Sequence, residues 1–106
     1  MNAVFKALSD PTRRHVLELL RDRPMTAGDL ADHFPVSKPT MSAHFAVLRE
    51  AGLVDVQKAG KTLIYHLKLS VLEDALLGFV AIFGSVAETA KPAAARPAAL
   101  TKGTTP

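Results

Sequence analysis

At Gly52 the hydrophobic rhythm of this chain changes, and few folds accommodate the change. Ahead of it, Met41, Phe45 and Leu48 fall at i, i+4 and i+7, the spacing of one helical face. Behind it, Val54 and Val56 alternate with Asp55 and Gln57, while Leu63, Tyr65 and Leu67 alternate with Ile64 and His66. That is the period of strands. Lys58-Ala59-Gly60-Lys61 separates the two alternating runs and offers a glycine for positive φ. A helix therefore ends at Gly52, a residue suited to terminate it, and leads directly into a β-hairpin.

The stretches on either side read as helices. Val4, Phe5 and Leu8 mark one side of a first short helix. Asp10-Pro11 is an N-cap followed by proline at the first helical position, where the missing N–H is not needed. The helix it opens buries Val16, Leu17 and Leu20 and is expected to end near Arg21–Arg23, before Pro24. Thr26 and Asp29 are spaced like a capping box, with Asp in place of the usual Glu or Gln. They open a short helix through Leu30 and Ala31 that closes near His33. Phe34-Pro35-Val36 is a tight turn, and Ser37 caps the next helix, with Pro39 tolerated in its first turn. After the hairpin Ser70 is expected to cap a last helix over about 70–87. It carries Leu72, Leu76, Phe79, Phe83 and Val86 on one stripe and Val71, Ala75 and Ile82 on a second. A terminal helix apolar on two sides needs cover on two sides, one from its own domain and one from a partner.

The order α-α-α-α-β-β-α is mainly helical with a β-hairpin wing (α+β), a winged helix-turn-helix. Residues 1–88 form the domain: helix-turn-helix at about 26–51, wing at about 54–67 and a pairing helix at about 70–87. Residues 89–106, rich in alanine and proline, read as a disordered basic tail. A helix docked by Met41, Phe45 and Leu48 turns Pro39, Thr40, Ala43, Val47 and Glu50 outward, with Ser42 and His44 on the flanks and Lys38 at the tip. A major groove about 12 Å wide admits such a helix. Its N-terminal end, with Ser37, Lys38 and Thr40, is the end that reaches base edges, and backbone N–H groups there hold phosphate. Ala43 is small enough for close approach. Double-stranded DNA is thus the expected partner.

Charge is distributed to match. The formal +3 resides in the tail, through Lys91, Arg96 and Lys102, because residues 1–88 are balanced. Within the balanced part, Lys38, Arg49, Lys58, Lys61 and Lys68 face only Glu50 and Asp55 over 34–69, whereas 70–88 carries Glu73, Asp74 and Glu88 and no base. The absence of cysteine removes disulfides and thiolate metal sites. The opening residues lack the long apolar stretch of a secretion signal. The longest charge-free stretch, Ala75 to Ala87, is 13 residues, short of the about 20 that a membrane span needs. A soluble protein in the cytoplasm, not inserted in a membrane, is expected. No glycine-rich phosphate loop, paired carboxylates or serine–histidine–aspartate set is readable, so an enzyme is not expected, and no cofactor is implied.

Several motifs together resemble the ArsR-type winged-helix regulators: Phe5-Lys6-Ala7-Leu8-Ser9-Asp10-Pro11-Thr12-Arg13-Arg14, Met25-Thr26-Ala27-Gly28-Asp29-Leu30-Ala31, Ser37-Lys38-Pro39-Thr40-Met41-Ser42-Ala43-His44-Phe45 and Leu48-Arg49-Glu50-Ala51-Gly52-Leu53-Val54. The resemblance spans about residues 2–87, and Met25–Leu30 is most similar to the autorepressor (SdpR-like) branch. It implies a homodimeric repressor paired through its first and last helices and bound to an inverted-repeat operator. Val4, Phe5, Leu8, Leu72, Leu76, Phe79, Phe83 and Val86 would then line the dimer interface. The chain departs from the family in carrying Ala43-His44 where His-His is frequent. It also departs from the metal-sensing members, since Met25–Leu30 replaces their cysteine motif and the last helix holds no histidine. No metal site is expected.

Some residues admit two readings. Lys58 and Lys61 flank the hairpin tip, either solvated or meeting phosphate and the minor groove. Arg13 and Arg14 either touch phosphate or pair with Asp10, Glu18 or a neighbouring helix. His44 either reaches DNA from the flank or packs beside the core stripe, and Ser42 faces the groove. Tyr65 belongs to the core. Phe79 and Phe83 serve dimer packing rather than an effector pocket. A winged-helix protein-interaction module is the competing function, and the Lys38, Lys58, Lys61 and Lys68 set argues against it.

Overall fold

The structure, a computed structural model, describes residues 2–84. Helix α1 (Asn2–Leu8) leads to α2 (Pro11–Asp22), a two-residue strand β1 (Met25–Thr26), α3 (Ala27–Ala31), α4 (Lys38–Glu50), the hairpin β2 (Val54–Ala59) and β3 (Thr62–Leu67), and α5 (Leu69–Ile82). The chain divides into two units, residues 1–75 and 76–106, so the division falls within α5. The expected end of the last helix near residue 87, the pairing residue Val86 and the tail at 89–106 lie outside the described residues.

The caps form as the sequence implies. Asp10 accepts the Arg13 N–H at 3.1 Å ahead of Pro11, and Thr26 accepts the Asp29 N–H at 3.0 Å. Ser37 accepts the Thr40 N–H at 3.3 Å. Past Ala51, Gly52 takes φ +74°. Its N–H donates to Arg49 O at 2.9 Å, and the Leu53 N–H donates to Leu48 O at 3.1 Å. This paired closure is a Schellman motif, and its accompanying apolar contact is expected between the third-last helical residue and the one after the glycine. Leu48 and Leu53 are both fully buried. The turn that ends α4 is therefore also a piece of the core.

Strand β1 escaped the sequence reading. Among the described residues the sheet has the order β1-β3-β2, with Met25 opposite Tyr65 and Thr26 opposite Ile64. The two residues after Pro24, the second of them the α3 cap, show no periodicity. They become a strand because β3 offers them a free edge. Strands β2 and β3 pair from Val54↔Leu67 to Ala59↔Thr62, leaving Gly60 (φ +63°) and Lys61 as the turn. Leu63, two residues before the buried Tyr65, is exposed, because it pairs with Lys58 near the wing tip, where both strands are exposed.

The core gathers Val16, Leu17 and Leu20 of α2, Leu30 of α3, Met41, Phe45 and Leu48 of α4, and Met25, Val54 and Tyr65 of the sheet. Val4 and Ala7 of α1 join it. Val71, Leu72 and Ala75 of α5 pack partly buried against it. Helix α5 begins at Leu69, one residue before the expected Ser70 cap: the Val71 N–H donates to Lys68 O at 3.1 Å, so backbone closes the first turn. Burial pushes the Tyr65 phenol above its ordinary pKa, partly offset by the Arg49 charge.

Candidate nucleic-acid interface

Helix α4 presents one apolar and one polar face. With Met41, Phe45 and Leu48 buried, Lys38, Pro39, Thr40, Ser42 and Ala43 are exposed, together with Ser37 at the cap. The outer face extends through Ala46, which the sequence reading omitted. Val47, expected outward, packs partly buried against the core. Helices α1 and α2 both pack beside α4, so more of its circumference is covered than the Met41/Phe45/Leu48 stripe alone implies. Glu50 is exposed at the far end.

At the tip, the Ser37 hydroxyl donates to Thr40 Oγ1 at 2.9 Å. Lys38, Met41, Ser42 and Phe45 line a groove of about 220 Å³ against Ala27, Gly28 and Ala31 of α3. A second depression, about 390 Å³, is lined by Thr26, Ala27, Gly28, Lys61, Thr62 and Leu63. Both share Ala27 and Gly28, so the start of α4 and the wing turn lie on one side of the molecule. Lys58 and Lys61 are exposed there. Lys68 is exposed too, but at the base of the wing, where its N–H donates to Leu53 O at 2.8 Å.

His44 is placed differently. Its side chain is 15% exposed. Nδ1 lies 3.0 Å from Arg13 Nη1, and Nε2 lies 3.8 Å from Asp10 Oδ2. Both ring nitrogens face protein, which favours the packed reading over the base contact. Arg13 also donates from Nε to Ala7 O and from Nη2 to Lys6 O, each at 2.9 Å, and Arg14 Nη1 donates to Leu8 O at 2.6 Å. Both arginines thus satisfy carbonyls at the end of α1, an arrangement invisible in sequence because the acceptors are backbone atoms. Burial raises the Asp10 carboxyl, but the Arg13 N–H bond and the neighbouring His44 and Arg13 outweigh it and hold the pKa below the ordinary value.

The expected pairing residues are not alike. Val4 is 5% exposed and packs within the chain's own core, leaving little surface for a partner. Phe5 and Leu8 are half-buried, and Leu8 lines a groove of about 240 Å³ with Leu17, Leu67, Leu69 and Leu72. Leu76, Phe79 and Phe83 are exposed, with the last two rings 5.3 Å apart. Leu77, at 67% exposed, and Ile82, at 66%, are more open than any of these and were missed as pairing candidates, as was Val80. Among the described residues no group of three histidines, cysteines or acids is arranged to hold a metal, and no helix is long and apolar enough to cross a membrane.

Comparison with known proteins agrees with this arrangement. Residues 8–57 match the family model described as a helix-turn-helix domain. The chain is 47% identical over 76 residues to the transcriptional repressor SdpR of Bacillus subtilis (strain 168), covering 72% of this chain and 84% of that protein. It is 37% identical over 73 residues to an arsenical resistance operon repressor of Staphylococcus xylosus, covering 69% and 70%. The crystal structure of an ArsR family transcriptional regulator superposes with a TM-score of 0.74 at 30% identity, covering 82% of this chain and 94% of that one. The chain belongs to the ArsR-type winged helix-turn-helix family, whose members are DNA-binding transcriptional regulators and not enzymes.

Proposed function

We propose that two copies of this chain pair through α1 and α5 and repress transcription by binding an inverted-repeat operator, one α4 in the major groove of each half-site. The observation that carries this reading is the exposed set Ser37, Lys38, Pro39, Thr40, Ser42 and Ala43, beside a depression that Lys61 of the wing lines. Lys38 and Ser42 reach base edges. Ser37 and Thr40 meet phosphate with the first N–H groups of the helix. Pro39 and Ala43 allow close approach, and Lys58 and Lys61 hold phosphates or enter the minor groove. His44 acts from behind the reading face.

Pairing draws support from the apolar residues exposed on α5. A second copy of the same helix offers a matching surface, as a two-fold interface requires. Two α4 helices about 34–36 Å apart would then read half-sites one helical turn apart. Repression is supported by the repressors that the chain resembles. Work in the cytoplasm fits a DNA target and a chain whose described residues include no helix long and apolar enough to cross a membrane.

Selection of bound genomic fragments, followed by gel-shift across a salt series, tests the reading. Expected are a dimer in solution and a site whose log affinity falls linearly with log salt. Failure of every fragment, its own promoter included, to bind below about micromolar in low salt, where non-specific affinity alone lies between about 10⁻⁴ and 10⁻⁶ M at physiological salt, overturns it.

A further inference from the structure

We propose that Arg13 is a positioning residue for DNA reading: its guanidinium holds α4 to α1 through His44 and so sets the pose in which α4 meets a duplex. The proposal rests on the DNA-binding reading above and adds residues that do not touch DNA.

An arginine side chain is a planar fork of donors with no acceptor. Here Nε and Nη2 are committed to Ala7 O and Lys6 O, carbonyls in the last turn of α1. Carbonyls at a helix end lack a partner within their own helix and attract a cation; Lys6 O also accepts the Ser9 N–H at 3.2 Å and the Ser9 hydroxyl at 2.7 Å. With two nitrogens fixed in a plane, the direction of the third is fixed as well, and Nη1 points at His44 Nδ1. Since arginine only donates, Nδ1 accepts, which assigns the proton of the neutral ring to Nε2, the nitrogen facing Asp10. Asp10 in turn receives the Arg13 N–H. The result joins the end of α1, the cap of α2 and the middle of α4.

Apolar packing by Met41, Phe45 and Leu48 decides which face of α4 turns inward, but it has little directional preference. The Arg13–His44 bond is directional. His44 lies six residues from Lys38, about 9 Å along the helix at about 1.5 Å per residue, so a small tilt at His44 displaces the reading tip. Ser42 and Ala43 precede His44 immediately in the chain.

The test compares Arg13→Lys, His44→Leu and His44→Asn with the parent chain. Lysine keeps the charge and loses the fork. Leucine keeps bulk and loses the acceptor, whereas the asparagine Oδ1 sits near where the histidine Nδ1 does and restores it. Affinity is measured for the tightest duplex selected from genomic fragments and for a random duplex of equal length, with far-UV circular dichroism establishing that each variant is folded. Arg13→Lys and His44→Leu are expected to lower affinity for the selected duplex on the order of tenfold, against less than about twofold for the random one, where phosphate contacts dominate. His44→Asn is expected to stay near the parent. In the free protein, nitrogen-15 spectra are expected to show His44 Nδ1 unprotonated, with that preference lost in Arg13→Lys. Undiminished discrimination in both Arg13→Lys and His44→Leu overturns the proposal while leaving the DNA-binding reading intact, as does an asparagine variant no better than leucine. If His44→Leu does not fold, Arg13→Lys and His44→Asn carry the comparison. A parent chain that binds no duplex overturns the DNA-binding reading, and this role with it.

Discussion

The rings of Phe45 and Tyr65 lie 4.9 Å apart and tilted by 36°, so α4 and the wing behind it share a packing contact. Phe45 is on the buried stripe of α4 and Tyr65 on β3, opposite both Met25 and Val56. Movement of the wing relative to α4 must disturb this pair.

Phe45→Ala is expected to destabilise the fold by about 3–5 kcal/mol, the usual range for removing a buried ring, and Tyr65→Phe by far less because the ring remains. A double-mutant cycle with Tyr65→Leu is expected to return a coupling of about 0.5–1.5 kcal/mol. Urea unfolding measures all three, and a coupling of zero would show that the two rings touch without cooperating.

Gly52 and Gly60 test backbone strain without collision. A Cβ on Gly52 would meet Val71 Cγ1 at 3.8 Å, an ordinary contact, and one on Gly60 would meet nothing within 4 Å. Alanine at either site is therefore expected to cost about 1–2 kcal/mol for its positive φ alone. Equal losses in thermal stability support this account. A much larger loss at Gly52 would point instead to a rearranged α4 terminus.

Asp10 confers an acid dependence whose sign follows from its lowered pKa. Its ionised form is favoured in the folded chain, so its contribution is complete above the unfolded value and drains away as pH falls through the lower folded value. Asp10→Asn keeps a capping oxygen and is expected to flatten this part of the acid limb. Asp10→Ala removes the cap and is expected to cost about 0.5–2 kcal/mol at neutral pH. Thermal melts between neutral pH and pH 3 separate the two effects.

If the wing meets phosphate as proposed, Lys58→Ala and Lys61→Ala are expected to weaken binding to all duplexes alike and to reduce the salt slope by about one each. Ser42→Ala is expected to weaken only the operator, by about 1–3 kcal/mol, as befits a base-edge contact. Fluorescence anisotropy against operator and random duplex tells these roles apart; a uniform loss at Ser42 would move it to the phosphate set.

On α5, Leu77→Glu places a charge on an exposed apolar residue. If this helix pairs two copies, the change is expected to give a folded monomer with weakened operator binding. Sedimentation velocity reads the mass, and an unchanged dimer would exclude Leu77 from the interface.

Much of this architecture was legible because it is local. The Asp10, Thr26 and Ser37 caps, the Gly52 terminator and the Met41/Phe45/Leu48 stripe each involve residues within one or two helical turns, where spacing alone specifies geometry. The wing turn at Gly60 is equally local. Strand β1 was not legible, because its partner Tyr65 is distant in sequence and two residues carry no period. The exposed arc of α4 was only partly legible. Spacing located its buried centre, but packing in the folded chain determined that Val47 is covered and Ala46 open.

Sequence alone determined the order of the helices and the hairpin, the inward stripe of α4 and the side-chain chemistry available at its tip, since each depends on near neighbours and on residue type. Tertiary structure alone decided that Arg13 and His44, 31 residues apart, would meet, and that Val4 would join the core. A guanidinium takes whatever acceptors packing brings within reach, and here these are backbone carbonyls that every residue possesses, so nothing in the order of amino acids marks them out.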